Sequence, residues 1–255
     1  MNSPKRRLAL AGLVSLSIVA AACGSDSKST TTDAPVTTVA GGDTTSAPDT
    51  TGGTDTTEAP ATLEAELNAS GSTFVKTYLE EAIAAFTEAN DGVTINYGGG
   101  GSGKGRQDLA DQIVDFAGTD GTIKDADLPG FKGGDVLYFP VVVAPITVSY
   151  NLGGVDSLQL SPATIAGIFQ RTITKWNDAA IAADNPDADL PDLDITVAHR
   201  SDSSGTTSNF TKFLEKSVGK DASGIWTLGT DSTVEWPADT QAGEGNAGVA
   251  QIVSS

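Results

Sequence analysis

From Glu64 to Val253, short β-prone runs alternate with stretches whose apolar residues recur at helical spacing. Strand candidates are Glu64 to Leu67, Val93 to Tyr97, Val114 to Gly118 and Ile195 to Ala198. Helix candidates run from Phe74 to Ala89, Gln107 to Ile113, Thr174 to Ala183, Asn209 onward and Asn246 to Val253. In the first, Val75, Tyr78, Leu79, Ile83 and Phe86 mark an apolar stripe. Ser161-Pro162 opens a further helix, with a capping hydroxyl followed by proline. Val136 to Tyr150 is β-rich, interrupted by Pro140 and Pro145. This alternation predicts an α/β fold with mainly parallel sheets.

The residues before Glu64 are of another kind. Lys5, Arg6 and Arg7 precede an apolar run, Leu8 to Val19, that is too short for a comfortable membrane span. Ala20-Ala21-Ala22-Cys23-Gly24 follows, and small residues before a cysteine look like a bacterial lipobox, with Ala20 where leucine is usual. On that reading residues 1–23 are a lipoprotein signal peptide and Cys23 carries the lipid. The alternative is a plain signal peptide with an incidental cysteine. Cys23 is the only cysteine, so an intramolecular disulfide is excluded. Residues 24–62 are Ser, Thr, Asp, Gly, Ala and Pro with almost no large apolar side chain. Such a segment buries too little surface to offset its ordering entropy and is expected to be a disordered tether.

Ligands of parallel α/β sheets sit at the carboxyl ends of the strands. Four loops at such ends carry groups suited to a small anion: Ser72-Thr73-Phe74, Gly101-Ser102-Gly103, Thr119-Asp120, and Arg200 to Thr206. In the last, Arg200 supplies a planar fork of donors. Ser204-Gly205-Thr206 opens a helix whose first N–H groups lack intrahelical partners and carry partial positive charge. The same residues also read as a capped helix beside a surface ion pair. A formal net charge of −18 argues against nucleic acid as a partner and leaves anion capture to local dipoles.

Other chemistries find little support. Gly98 with Gly103-Lys104 fits the phosphate-loop pattern until Gly105, where Ser or Thr must hold Mg²⁺. The glycines still permit close backbone approach to a ligand. Lys104 stands near the cleft mouth or faces solvent. A Ser-His-Asp site would rest on His199, the only histidine, and no Gly-x-Ser-x-Gly elbow occurs. His199 reads as a partly buried structural residue, and Trp176, Trp226 and Trp236 as packing residues. One histidine and one cysteine, the latter in the signal region, give no nitrogen or sulfur ligand set; carboxylate-only Ca²⁺ or Mg²⁺ sites stay open, without EF-hand spacing.

These residues resemble the phosphate-binding lipoprotein of the bacterial high-affinity phosphate ABC transporter, and the tether and lipobox resemble an actinobacterial member. The likeness runs from about Leu67 to Val253. It is carried by Gly71-Ser72-Thr73-Phe74, Tyr97-Gly98-Gly99-Gly100-Gly101-Ser102, Val114-Asp115-Phe116-Ala117-Gly118-Thr119-Asp120 and Ile173-Thr174-Lys175-Trp176-Asn177-Asp178-Ala179-Ala180-Ile181. Arg200-Ser201-Asp202-Ser203-Ser204-Gly205-Thr206 and Ser232-Thr233-Val234-Glu235-Trp236-Pro237 complete it.

The resemblance implies a type II periplasmic-binding-protein fold with two lobes, the first over 63–143 and the second over 144–255. It implies a hinge in Pro140 to Asn151, and a first lobe incomplete because family members continue beyond the equivalent of Ser255. It implies phosphate bound by Thr73, the backbone N–H of Phe74, Ser102, Asp120, Arg200 paired with Asp202, Ser204, Gly205 and Thr206. Lys104 departs from the small residue usual at its position. The implied protein is a monomeric, non-enzymatic receptor, lipid-anchored on the outer face of the cell membrane, that uses no cofactor and delivers phosphate to membrane permease subunits. A receptor for sulfate or molybdate, or a secreted phosphatase-like enzyme, are the alternatives.

Overall fold

The computed structural model describes residues 63–219 and 225–255. The expected signal segment with Cys23 and the expected tether lie outside the described residues.

Strand β1 (Ala65–Gly71) feeds helix α1 (Lys76–Ala89), which returns the chain to β2 (Val93–Gly100). Helix α2 (Gly101–Ala110) then leads to β3 (Phe116–Gly118). The three strands are parallel in the order β2-β1-β3, with Ala65 opposite Val93 and Ala69 opposite Phe116. Both crossovers carry a helix, as a parallel pair requires.

The expected helix Gln107 to Ile113 is displaced: it begins at Gly101, inside the glycine run, and ends at Ala110. Gly100 and Gly101 take φ of +101° and +87°, a turn open to glycine that lets the strand pass directly into the helix. Gln112 adopts φ of +59° beyond the C-terminus. Gly105 has its own reason to lack a side chain. A Cβ there would stand 2.6 Å from Gly71 Cα and 2.9 Å from the Ser70 carbonyl oxygen, so α2 lies directly on β1.

Helix α3 (Pro162–Phe169) is capped by Ser161, whose hydroxyl accepts from the Thr164 N–H at 3.2 Å. The expected helix Thr174 to Ala183 is shorter. Lys175 forms an isolated antiparallel bridge with Asp194, and Asp178 caps α4 (Ala179–Asp184) through the Ala180 N–H. An Asp side chain that accepts from the backbone starts a helix at its own position, not several residues earlier. Strand β4 is Ala198–Arg200, later than the expected Ile195 to Ala198, although Ile195 and Val197 are buried. Helix α5 (Gly205–Val218) precedes β5 (Gln241–Gly243), which pairs in parallel with β4, and α6 (Gly245–Ser254) follows.

Two apolar clusters hold α3, α4 and α5 to the β4 region. Ile168, Ile181, Ile195 and Val197 form one, with Trp176 against it; Ala166, Leu214 and Trp226 form the other, with Trp236 against it. All three tryptophans are thus packing residues.

Packing departs from the apolar pattern in two places. The α1 stripe is only partly covered: Val75 is buried, whereas Tyr78 and Phe86 are exposed. Periodicity reports an apolar face, but burial needs an element to cover it. No residue from Asp135 to Leu152 lies in a helix or strand, and Leu137, Phe139 and Val143 are 73%, 79% and 93% exposed. β-propensity reflects fit to a pleated, half-buried surface, and no described strand pairs with this stretch.

Candidate functional site

Five parallel strand ends deliver polar groups to one place. Ser72, Thr73 and Phe74 follow β1; Gly101 and Ser102 follow β2; Thr119 and Asp120 follow β3; Arg200 to Ser204 end and follow β4; Gly245 and Asn246 follow β5.

Asp120 is the hub. Its carboxylate accepts hydrogen bonds from the Ser72 and Thr206 hydroxyls, the latter at 3.2 Å. Its N–H donates to Ser102 Oγ at 3.2 Å, and its carbonyl oxygen accepts from Asn209 Nδ2 at 2.9 Å. Ser72 and Ser102 are each only 1% exposed. The Phe74 N–H donates to Ser72 Oγ at 3.1 Å, and the Tyr97 hydroxyl donates to the Ser72 carbonyl at 3.0 Å. Burial first, then the charge of Asp120, push the Tyr97 hydroxyl well above its ordinary value, so it stays a neutral donor.

The cation is assembled from the other sheet. Arg200 Nε donates to Asp202 Oδ1 at 2.7 Å and Nη2 to Asp202 Oδ2, forming a two-pronged pair. Arg200 Nη1 donates to Asn246 Oδ1 at 2.7 Å. Burial works against the Asp202 charge, but hydrogen bonds from Arg200 and from the Gly245 N–H, at 3.0 Å, outweigh it and hold its carboxyl below the usual range.

Helix α5 brings its N-terminus to the hub. Ser204 Oγ caps it by accepting from the Thr207 N–H at 3.1 Å. The N–H groups of Gly205 and Thr206 occupy the first helical turn, where no intrahelical carbonyl reaches them. A Cβ on Gly205 would lie 2.5 Å from Ser102 Oγ and 2.7 Å from Asp120 Cβ, which measures how closely α5 meets α2 and β3. A Cβ on Gly101 would lie 3.3 Å from Arg200 Nη2. The Gly103 N–H donates to the Ser203 carbonyl at 3.0 Å, linking the two sheets directly.

All nine expected ligand residues therefore belong to one cluster. Phe74, Asp120, Arg200 and Thr206 line a cavity of about 2340 Å³, and Ser102, Ser204 and Gly205 are buried and do not line it. Lys104 turns away: it pairs with Asp108 at 2.5 Å, and Ser70 donates to the same carboxylate oxygen at 2.6 Å. His199 bridges the Arg200 carbonyl and the Thr240 hydroxyl and stacks on Trp236, a structural position. Among the described residues, no group of three or more His, Cys, Asp or Glu side chains could hold a metal ion.

Sequence reasoning did not single out Asn246, Asn209 or Tyr97. Asn246 carried a partial signal, since it was expected at a helix start, but the short strand Gln241–Gly243 that places that start beside the other strand ends was not expected. Asn209 and Tyr97 reach the hub from within a helix and a strand, and no loop motif marks them.

Parallel strands whose carboxyl ends meet over one polar cluster make an α/β fold of the kind in which ligands sit at the strand ends. The model of the PBP superfamily domain matches residues 29–255, and the chain belongs to that superfamily. It is 35% identical over 198 residues to phosphate-binding protein PstS 2 of Mycobacterium tuberculosis, across 74% of this chain and 51% of the relative. It is 37% identical over 201 residues to phosphate-binding protein PstS of Methanocaldococcus jannaschii, across 74% of this chain and 50% of that one. The chain thus spans about half the length of these curated relatives. The fold also matches a putative phosphate ABC transporter substrate-binding protein of Clostridium perfringens, solved with bound phosphate. That match has a TM-score of 0.53 and 19% identity, and covers 75% of this chain and 67% of that one.

Proposed function

We propose that this chain binds inorganic phosphate outside the cytoplasm and hands it to the membrane subunits of an ABC importer, without chemical conversion. The observation that carries the reading is the Asp120 carboxylate, set among hydroxyl groups where five strand ends converge, while the second carboxylate, Asp202, is taken up by Arg200. A carboxylate offers roughly four lone-pair directions. Ser72 and Thr206 take two, which leaves acceptor capacity for a protonated oxygen. Phosphate near neutral pH keeps a proton to donate there. Sulfate and molybdate are fully ionised and would set a lone pair against the carboxylate, a mismatch worth several kcal/mol in a buried site. The names of the curated relatives support the same ligand.

Thr73, Ser102, Arg200, Ser204 and the N–H groups of Gly205 and Thr206 are the donors in this reading, the Phe74 N–H is shared between Ser72 Oγ and the ligand, and Asp202 holds Arg200. The two sheets belong to two lobes that close on the ligand about the Pro140 to Asn151 stretch. Cys23 carries the lipid that holds the receptor, as a monomer, to the outer face of the membrane. No helix among the described residues is long and apolar enough to cross a membrane.

Isothermal titration of the purified chain is the test. Phosphate should bind at a single site, with sulfate far weaker; Asp120→Asn should narrow that gap by at least tenfold, an order-of-magnitude figure for losing one charge-based discrimination. Equal affinity for both anions in the unaltered chain would overturn the assignment.

A further inference from the structure

Building on that phosphate reading, we infer that Asn246 is a positioning residue of the anion site, setting Arg200 and Thr73 together from the N-terminus of α6. Its side-chain carbonyl accepts from Arg200 Nη1 at 2.7 Å, and its own N–H donates to Thr73 Oγ1 at 3.3 Å. Its neighbour Gly245 donates to Asp202 Oδ1, the oxygen that also receives Arg200 Nε. One helix start therefore touches the cation, its counter-ion and the first-sheet hydroxyl at once.

The count of donors shows what this does. A guanidinium has five N–H groups. Asp202 takes two and Asn246 takes one, so one hydrogen on each terminal nitrogen remains. Two hydrogens on different terminal nitrogens suit two oxygens of a tetrahedral anion. The N–H bond from Asn246 occupies a lone pair of the Thr73 hydroxyl, which leaves its hydrogen to be donated. Asn246 thus orients two donors from different sheets without using a charge. The amide matters: a carboxylate in its place would also accept from Arg200, but would add a second negative charge facing the anion.

The test titrates inorganic phosphate into the unaltered chain, Asn246→Ala, Asn246→Asp and Arg200→Ala. Removing one hydrogen bond to a charged group should weaken phosphate by about tenfold or more in Asn246→Ala. The near-isosteric Asn246→Asp keeps the bond to Arg200 and should melt close to the unaltered chain, yet bind phosphate more weakly than the alanine variant. Raising salt from about 50 to about 500 mM should bring the two variants together, because screening acts on the added charge. A purely structural role would spare Asn246→Asp and show no such salt effect. If both Asn246 variants bind within about twofold of the unaltered chain while Arg200→Ala loses binding, the inference falls and the phosphate reading stands. If the unaltered chain binds no phosphate, both fall.

Discussion

At Gly205 the site has no room for a side chain. A Cβ would meet Ser102 Oγ at 2.5 Å and the Asp120 carboxylate at 2.8 Å, two groups fixed by their own hydrogen bonds. Neither neighbour is the free end of a flexible chain, so α5 would have to retreat from the hub. Its first-turn N–H groups would then move away from the space beside Asp120. Gly205→Ala is expected to lower phosphate affinity by about a hundredfold or more while leaving the circular dichroism spectrum unchanged. Normal affinity in this variant would mean that the α5 N-terminus does not face the ligand. Ser204 makes a separate contribution, since its hydroxyl satisfies the Thr207 N–H in a fully buried position. Ser204→Ala should cost about 1 kcal/mol, in the range of 0.5–2 for a lost N-cap, read as a lower urea midpoint. A midpoint unchanged within error would show that another acceptor replaces the cap.

Helix α2 shows how far an element can be read from its own residues. Its glycine content argues against helix, since each interior glycine costs about 1 kcal/mol relative to alanine. Tertiary fit reverses that preference. Gly105 permits contact with Gly71, and Ser70 and Lys104 both bind the Asp108 carboxylate, fastening the helix to β1. The Gly105–Gly71 approach and the Ser70–Asp108 bond are long-range and leave no local trace, which is why the helix was expected too late in the chain. The opposite holds for α3 and α5, where Ser161 and Ser204 are caps legible from residue type and spacing alone. The polar cluster was legible for a third reason: it depends on which loops lie at strand carboxyl ends, and strand–helix alternation marks those loops. Asp108 also yields a pH prediction. Its hydrogen bond from Lys104, then that from Ser70, hold its carboxyl below the ordinary range, with burial opposing. A folded-state value below the unfolded one gives stability that is present above the ordinary carboxylate range and lost as pH falls through the lowered value. The unaltered chain should therefore lose stability below about pH 4 more steeply than Asp108→Asn. Parallel urea-midpoint profiles for the two would show that this carboxylate does not contribute.

Across the whole molecule, apolar surface is divided unevenly. Around α3, α4 and α5 it is buried, with Trp226 and Leu214 inaccessible to solvent. Between Asp135 and Leu152 it is not: Leu137, Phe139, Val141, Val142, Val143, Ile146 and Val148 are all exposed, in backbone with no regular hydrogen-bonded structure. Several of these residues line the same cavity as Asp120 and Arg200, so the apolar stretch and part of the polar cluster border one space. The two regions should respond differently to substitution. Leu214→Ala removes a fully buried side chain and is expected to cost about 2–5 kcal/mol, seen as a large fall in melting temperature. Phe139→Ser and Val143→Ser remove side chains that bury little, and should leave the melting temperature nearly unchanged. Contiguous exposed apolar surface binds hydrophobic dyes, so the chain should enhance the fluorescence of anilinonaphthalene sulfonate under native conditions. The Phe139→Ser, Val143→Ser double variant should lose most of that enhancement. If instead the double variant melts several degrees lower and the native chain leaves the dye dark, these side chains are covered in solution and the stretch belongs to a packed layer.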